Sequence, residues 1–274
     1  MLIFRRLFRF YINASIHVAL AVISLYTISA QNLNISINVH VTGFLFFATI
    51  VCYNFVKYGV EADKYLIVAK PSHKPIQVFS FLAFGICLYF FFLLPFQLWV
   101  IIGVLTVVSA LYAIPFLPNS RNLRSLGGLK IFLVALVWVG FTVVLPAVEH
   151  QLGFPEQVVL LGIQNFVLVL ILILPFEIRD LEYDKPELRT LPQRFGVTNT
   201  KYIGYALSFT FFGLRLMNDG GDAKRMMYSL AVFGLLVTAL YFTKEGQSKY
   251  YTSFWIEGIP IFLLLIGSAM DKLI

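Results

Sequence analysis

Apolar runs long enough to cross a bilayer recur along the whole chain, and they leave few folds open. A spanning helix needs about 20 mostly apolar residues to cross a hydrocarbon core of about 30 Å. Stretches approaching that length are Ala14–Ala30, Val39–Phe55, Ile76–Leu94, Leu98–Ile114, Ile131–Val148, Val158–Phe176, Tyr202–Met217, Met227–Phe242 and Phe254–Met270. In lipid every backbone polar group must be paired internally, so only helices or closed barrels span. The runs are continuous rather than alternating, which selects helices. Composition agrees: 59% of the 274 residues are hydrophobic and 13% are charged, against about 25% charged in soluble domains. The expectation is an all-α integral membrane protein, one polytopic domain over residues 1–274 built as a bundle of about nine transmembrane helices.

Two junctions need a decision. Leu94-Pro95-Phe96 reads as a turn or a kink between the third and fourth spans. Arg5, Arg6 and Arg9 before an apolar run resemble a secretory signal, but the run is long and Ile28 sits where a cleavage site wants a small residue. It reads as an uncleaved first helix. Cys52 and Cys87 fall within spans and read as buried thiols.

Lys and Arg concentrate in alternate connections, which sets an orientation. The N-terminus, the 57–75 loop with Lys64, Lys70 and Lys74, the 118–130 loop with Arg121, Arg124 and Lys130, and the 185–201 loop with Arg189 and Arg194 belong in the cytoplasm. The uncharged 31–38 and acidic 149–156 connections belong outside. One connection does not discriminate: Arg215, Lys224 and Arg225 accompany Asp219 and Asp222 on what counting makes the outer side. The net charge of +7 therefore reads as attraction to the anionic leaflet and to anionic ligands, not to nucleic acid. The expected setting is a cell (inner) membrane with a site facing the cytoplasm.

The sixth span ends in Leu174-Pro-Phe-Glu-Ile-Arg-Asp-Leu-Glu-Tyr-Asp-Lys185. Spacings of three and four place Glu177, Asp180 and Asp184 on one helix face, where like charges repel by a few tenths of a kcal/mol per pair. They also sit at the negative end of the helix dipole. Two arrangements relieve this. Arg179, Lys185 and neighbouring cations neutralise the acids, or the carboxylates hold Mg²⁺, which typically takes one or two carboxylates, waters and substrate phosphates.

Asp180-Leu-Glu-Tyr-Asp184 is followed by Leu188-Arg-Thr-Leu-Pro192 and Gly196. This run resembles the second aspartate motif of the UbiA superfamily of intramembrane prenyltransferases. The likeness extends to the helix count, the polar loop after the second helix, and Tyr112-Ala-Ile-Pro115 with a basic loop ending at Lys130. It implies a UbiA-like fold, a prenyl diphosphate and a hydrophobic acceptor as substrates, and Mg²⁺ held by Asp180, Asp184 and Glu177, with Asp180 and Asp184 catalytic. Substrate-binding residues implied are Asn54, Lys57, Tyr112, Arg121, Lys130 and Arg189.

The first aspartate motif departs from the family pattern. Asn54 matches, but Phe55, Tyr58 and Ala62 occupy the acidic positions. Glu61 and Asp63 are one residue off, which on a helix is a rotation of about 100°. Lys57 either contacts diphosphate in place of a second metal or snorkels at a helix end. His17 and His40 lack metal-ligand spacing, and Gly127-Gly128 lacks the rest of a phosphate loop.

The expected activity is transfer of an isoprenoid chain from a prenyl diphosphate to an aromatic or lipid acceptor. The alternative is a non-catalytic protein of the same fold that binds a prenyl lipid or quinone. A transporter is disfavoured, since no internal repeat appears and the spans read as carrying no deep charge.

Overall fold

A computed structural model describes residues 2–59, 73–113, 128–184, 186–219 and 222–272. Glu61, Ala62, Asp63, Arg121 and Lys185 lie outside the described residues. Among the described residues all regular structure is helical. Seven helices are long and apolar enough to cross a membrane, and a bent pair at the N-terminal end makes an eighth.

That pair is α1 (Leu2–Asn13) and α2 (Ile16–Asn32), which meet at 56°. Ser15 sits at the corner with φ 61. On α1, Arg5, Arg6, Arg9 and Asn13 fall on one side of the helical wheel, and Ile3, Phe4, Leu7 and Tyr11 on the other. Such a segment lies along the membrane interface, so the predicted first span corresponds to α2 alone.

The chain continues through α3 (Val39–Asn54), which runs into a π-turn at Phe55–Gly59, then α4 (Lys74–Phe92) and α5 (Phe96–Ala113). The Pro95 junction is a turn: the Leu93 and Leu94 amides donate to Phe90 and Phe91 carbonyls, and Trp99 Nε1 donates to Leu94 O at 3.1 Å. The next span is composite, with α6 (Leu129–Val139), a π-turn at Gly140–Val144 and α7 (Leu145–Glu149). Gly140 is required there by close packing, since a Cβ would collide with the Leu105 side chain.

The centre of the bundle is α8 (Glu156–Asp180). Its best spanning window is 67% buried, against 11% for α4, whose Phe81, Leu82 and Tyr89 face outward to lipid. The remainder comprises α9 (Leu191–Asp219), α10 (Ala223–Phe242), a π-turn at Tyr251–Ile256 and α11 (Ile259–Lys272). α11 packs back on α2 and closes the ring. The predicted seventh span, Tyr202–Met217, lies within α9, which carries Asn199, Lys201 and Arg215 and is broken at Gly196 (φ 77, ψ 164). α9 is therefore outside the seven or eight.

Candidate functional site

The ends of α3, α5 and α8 and the starts of α6, α9 and the Tyr251–Ile256 turn meet at one end of the bundle. α8 stops at Asp180, and one further hydrogen-bonded turn brings Asp184 N to Asp180 O at 2.8 Å. Glu177 and Asp184 therefore remain on one side, as their spacing predicts. What lies between them is a lysine.

Lys130, in the first turn of α6, places Nζ 2.9 Å from Glu177 Oε1 and 3.4 Å from Asp184 Oδ2. Glu177 is 3% exposed. Its Oε1 has no partner besides this ammonium, and its Oε2 accepts the Leu191 amide at 3.2 Å. The Thr190-Leu191-Pro192 loop thus folds back onto the end of α8. Gln193 fastens it by donating to Asp184 O at 3.1 Å and accepting from Thr190 N at 2.9 Å. The break at Gly196 lets the loop pass into α9.

Asp180 takes a different partner. Both its oxygens accept from Arg179, at 2.6 and 2.9 Å, and Arg179 Nη1 donates to Thr252 Oγ1 at 2.5 Å. The guanidinium also covers the Phe176 ring. The expected magnesium set thus divides, with Glu177 and Asp184 sharing Lys130 and Asp180 bound to Arg179. Among the described residues no three His, Cys, Asp or Glu side chains are grouped to hold a metal ion. This donor set is neutralised by cations and does not fit Mg²⁺ held by the three carboxylates together.

Asn54 is buried and used inside the protein: Oδ1 accepts from Ser15 Oγ at 2.8 Å, and Nδ2 donates to Ala14 O and Ser80 Oγ. It braces the α1–α2 corner against α3 and α4. Lys57 reaches inward from the Phe55–Gly59 π-turn, donating to Ser15 Oγ at 3.0 Å with the Tyr53 ring at 5.9 Å. Tyr58 donates to Asn13 O and so ties the turn after α3 to α1. Arg189 is exposed on the loop before α9, with φ 42.

Tyr112 lines a cavity of about 130 Å³ between α3, α5 and α6, together with Tyr53, Val56, Ser109, Val134 and Trp138. The cavity is walled largely by carbon. Trp138 Nε1 donates to Tyr53 OH at 3.0 Å, fixing the ring at its inner end.

The residue that sequence reasoning missed is Glu257. It follows the Tyr251–Ile256 π-turn inside the span Tyr251–Met270, and Lys57 and Arg179 are the cations that act on it. Among the described residues it forms no ion pair. The signal was present in the sequence: Glu257 lies within the predicted span Phe254–Met270, and an ionisable residue inside an apolar run marks a site. The expectation of spans without internal charge is corrected here.

His17 is a packed polar residue without metal-ligand neighbours. Its ring hydrogen-bonds Tyr11 OH at 2.7 Å and Phe254 O at 2.8 Å, and stacks on Phe254. Cys52 and Cys87 are free thiols; Cys87 is buried as expected, whereas Cys52 is exposed, which corrects the expectation for it.

Fold and site together define a polytopic all-helical membrane protein with a cluster of paired charges and an apolar cavity toward one end of its bundle. Its fold is similar to that of a solved structure described as digeranylgeranylglyceryl phosphate synthase in membranes. The TM-score is 0.57 at 15% sequence identity, covering 96% of this chain and 99% of that one. No family model and no curated protein matches the sequence.

Proposed function

We propose that the protein is an intramembrane prenyltransferase. It receives an isoprenoid diphosphate at the cytoplasmic end of its bundle, in a cell membrane, and passes the isoprenoid chain to an aromatic or lipid acceptor. The observation that carries this reading is the placement of Lys57 and Arg179 about Glu257, with Lys130 in the first turn of α6, the helix that walls the Tyr53–Tyr112–Trp138 cavity. The fold shared with a membrane synthase supports it.

The chemistry follows from that placement. The bond between the allylic carbon and the diphosphate oxygen breaks, and the negative charge gathering on the leaving group is met by fixed cations. Glu177, Asp180 and Asp184 hold Lys130 and Arg179 in place for this role. Aromatic faces lining the cavity stabilise an allylic cation by about 0.5–2 kcal/mol per favourable contact. The acceptor attacks the same carbon, and its proton leaves to Glu257, a carboxylate that forms no ion pair among the described residues. An apolar enclosure excludes water, whose attack would waste the donor.

The test uses the purified protein in nanodiscs with isoprenoid diphosphates of several chain lengths and hydrophobic acceptors, following pyrophosphate release. Turnover abolished by Lys57→Met and by Asp180→Asn is expected. If turnover is lost on chelation and restored by Mg²⁺, the carboxylates bind metal once substrate is present, and the assignment of their role changes. A second reading, binding of a prenyl lipid or quinone without turnover, is favoured by Phe55 and Tyr58 at the acidic positions. Saturable binding without pyrophosphate release would select it.

A further inference from the structure

A cavity of about 380 Å³ opens at the opposite end of the bundle. It is walled by the end of α2, the start of α8, the end of α9, the start of α10 and the far half of α11. Among the described residues three cations, Arg215, Lys224 and Arg225, line it with the carboxylate of Asp222. This is the connection whose charges do not follow the alternation of basic loops. A cation on the disfavoured side of a membrane protein needs a reason, and an intramembrane arginine normally faces a cavity or a partner.

The cavity wall is built rather than incidental. Arg215 Nε donates to Ser229 Oγ at 2.9 Å, and its guanidinium lies 4.8 Å over the Tyr228 ring. Tyr228 OH is fixed by Leu263 O at 3.1 Å. Gln164, 3% exposed on α8, donates to Leu214 O at 2.8 Å and so holds the turn of α9 that carries Arg215. Asp222 caps α10 by accepting from Lys224 N and lies 3.6 Å from Arg225. Beside this rim the wall carries the amides of Gln31, Asn32, Asn34, Gln157 and Gln164, with hydrocarbon from Ile28, Leu263, Leu264 and Met270. A cationic rim on a polar wall, with an apolar strip from Leu263 to Met270 on α11 beside it, matches an amphiphile with an anionic head.

We propose that this cavity binds the phosphate head group of an anionic membrane lipid, with its acyl chain along α11. The proposal is independent of prenyl transfer. It assigns a function to the basic residues of the connection between α9 and α10, which orientation alone leaves without one.

The experiment compares the full chain in nanodiscs of phosphatidylcholine with and without phosphatidylglycerol, reading lipids retained by native mass spectrometry and the thermal transition. Wild type is expected to retain phosphatidylglycerol over phosphatidylcholine, with each cation worth about fivefold in preference. Arg215→Gln and Arg225→Gln each lower that preference about fivefold, and Arg215→Lys keeps it. Arg225 is 65% exposed, so its variant reports on binding even if Arg215→Gln misfolds. Lys57→Met, at the other end, leaves the preference unchanged. Equal retention of both lipids by wild type, or an unaltered preference in Arg225→Gln and Arg215→Gln, overturns the site. Equal protection by inorganic phosphate in detergent keeps a phosphate site and overturns its assignment to a lipid.

Discussion

Lys130 occupies the position where a divalent cation was expected, and its removal has a calculable consequence. Glu177 is almost fully buried and depends on this ammonium and one amide. Breaking a buried pair by deleting one partner costs about 3–5 kcal/mol, because a charge is left without compensation. Lys130→Met is therefore expected to lower the thermal transition markedly, and Lys130→Met with Glu177→Leu to recover most of the loss, both read in detergent by thermal unfolding. Asp180 is 39% exposed and its pairing with Arg179 is screened, so Asp180→Asn shifts stability by no more than about 1 kcal/mol. A large effect of that variant on ligand binding is thus not a folding defect. Glu257 competes with an anionic ligand for Lys57, and Glu257→Gln is expected to tighten pyrophosphate binding at least about fivefold while slowing turnover, measured by calorimetry and product release.

At the scale of elements, the spans were legible and their interruptions were not. An apolar run shows that a helix crosses; it does not show where an extra residue shifts its register. The turns at Phe55–Gly59, Gly140–Val144 and Tyr251–Ile256 have no sequence signature that a 3.6-residue period exposes, yet two of them aim Lys57 and Glu257 inward. The acidic run and the Thr-Leu-Pro loop stood out because they are polar among apolar neighbours. Their partners did not, since Lys130 meets Asp184 across a sequence separation of 54 residues and Arg179 meets Thr252 across 73. Gly258 tests the third turn. A Cβ there would meet Phe254 O at 2.5 Å and His17 Nε2 at 2.9 Å. Gly258→Ala is expected to cost about 1–3 kcal/mol through overpacking and to displace His17, seen as a lower thermal transition and a shifted imidazole resonance.

For the whole molecule, the alternation of basic loops and the direction of each helix put both cavities in register with the membrane. The charged site falls at the end expected in the cytoplasm, and the Arg215 cavity at the other. Replacing Cys52 and Cys87 and introducing single cysteines at Lys249, which is exposed, or Lys224, which is half-buried, checks this in intact cells. An impermeant thiol reagent is expected to label Lys224→Cys and spare Lys249→Cys, and the reverse pattern inverts the orientation. The amphipathic α1, with Ile3 and Phe4 about three-quarters exposed, then rests in the cytoplasmic leaflet.

Arg179 and His17 both wait for residues near 254, through Thr252 Oγ1 and Phe254 O. During synthesis the Lys130–Glu177, Arg179–Asp180 and Tyr11–His17 pairs can close as soon as α8 has inserted, while the guanidinium and the imidazole each wait for one further partner until residues 252–254 leave the ribosome. A nascent chain halted before residue 251 therefore enters the membrane without α11, its ring open beside α2 and these two side chains each short of a partner.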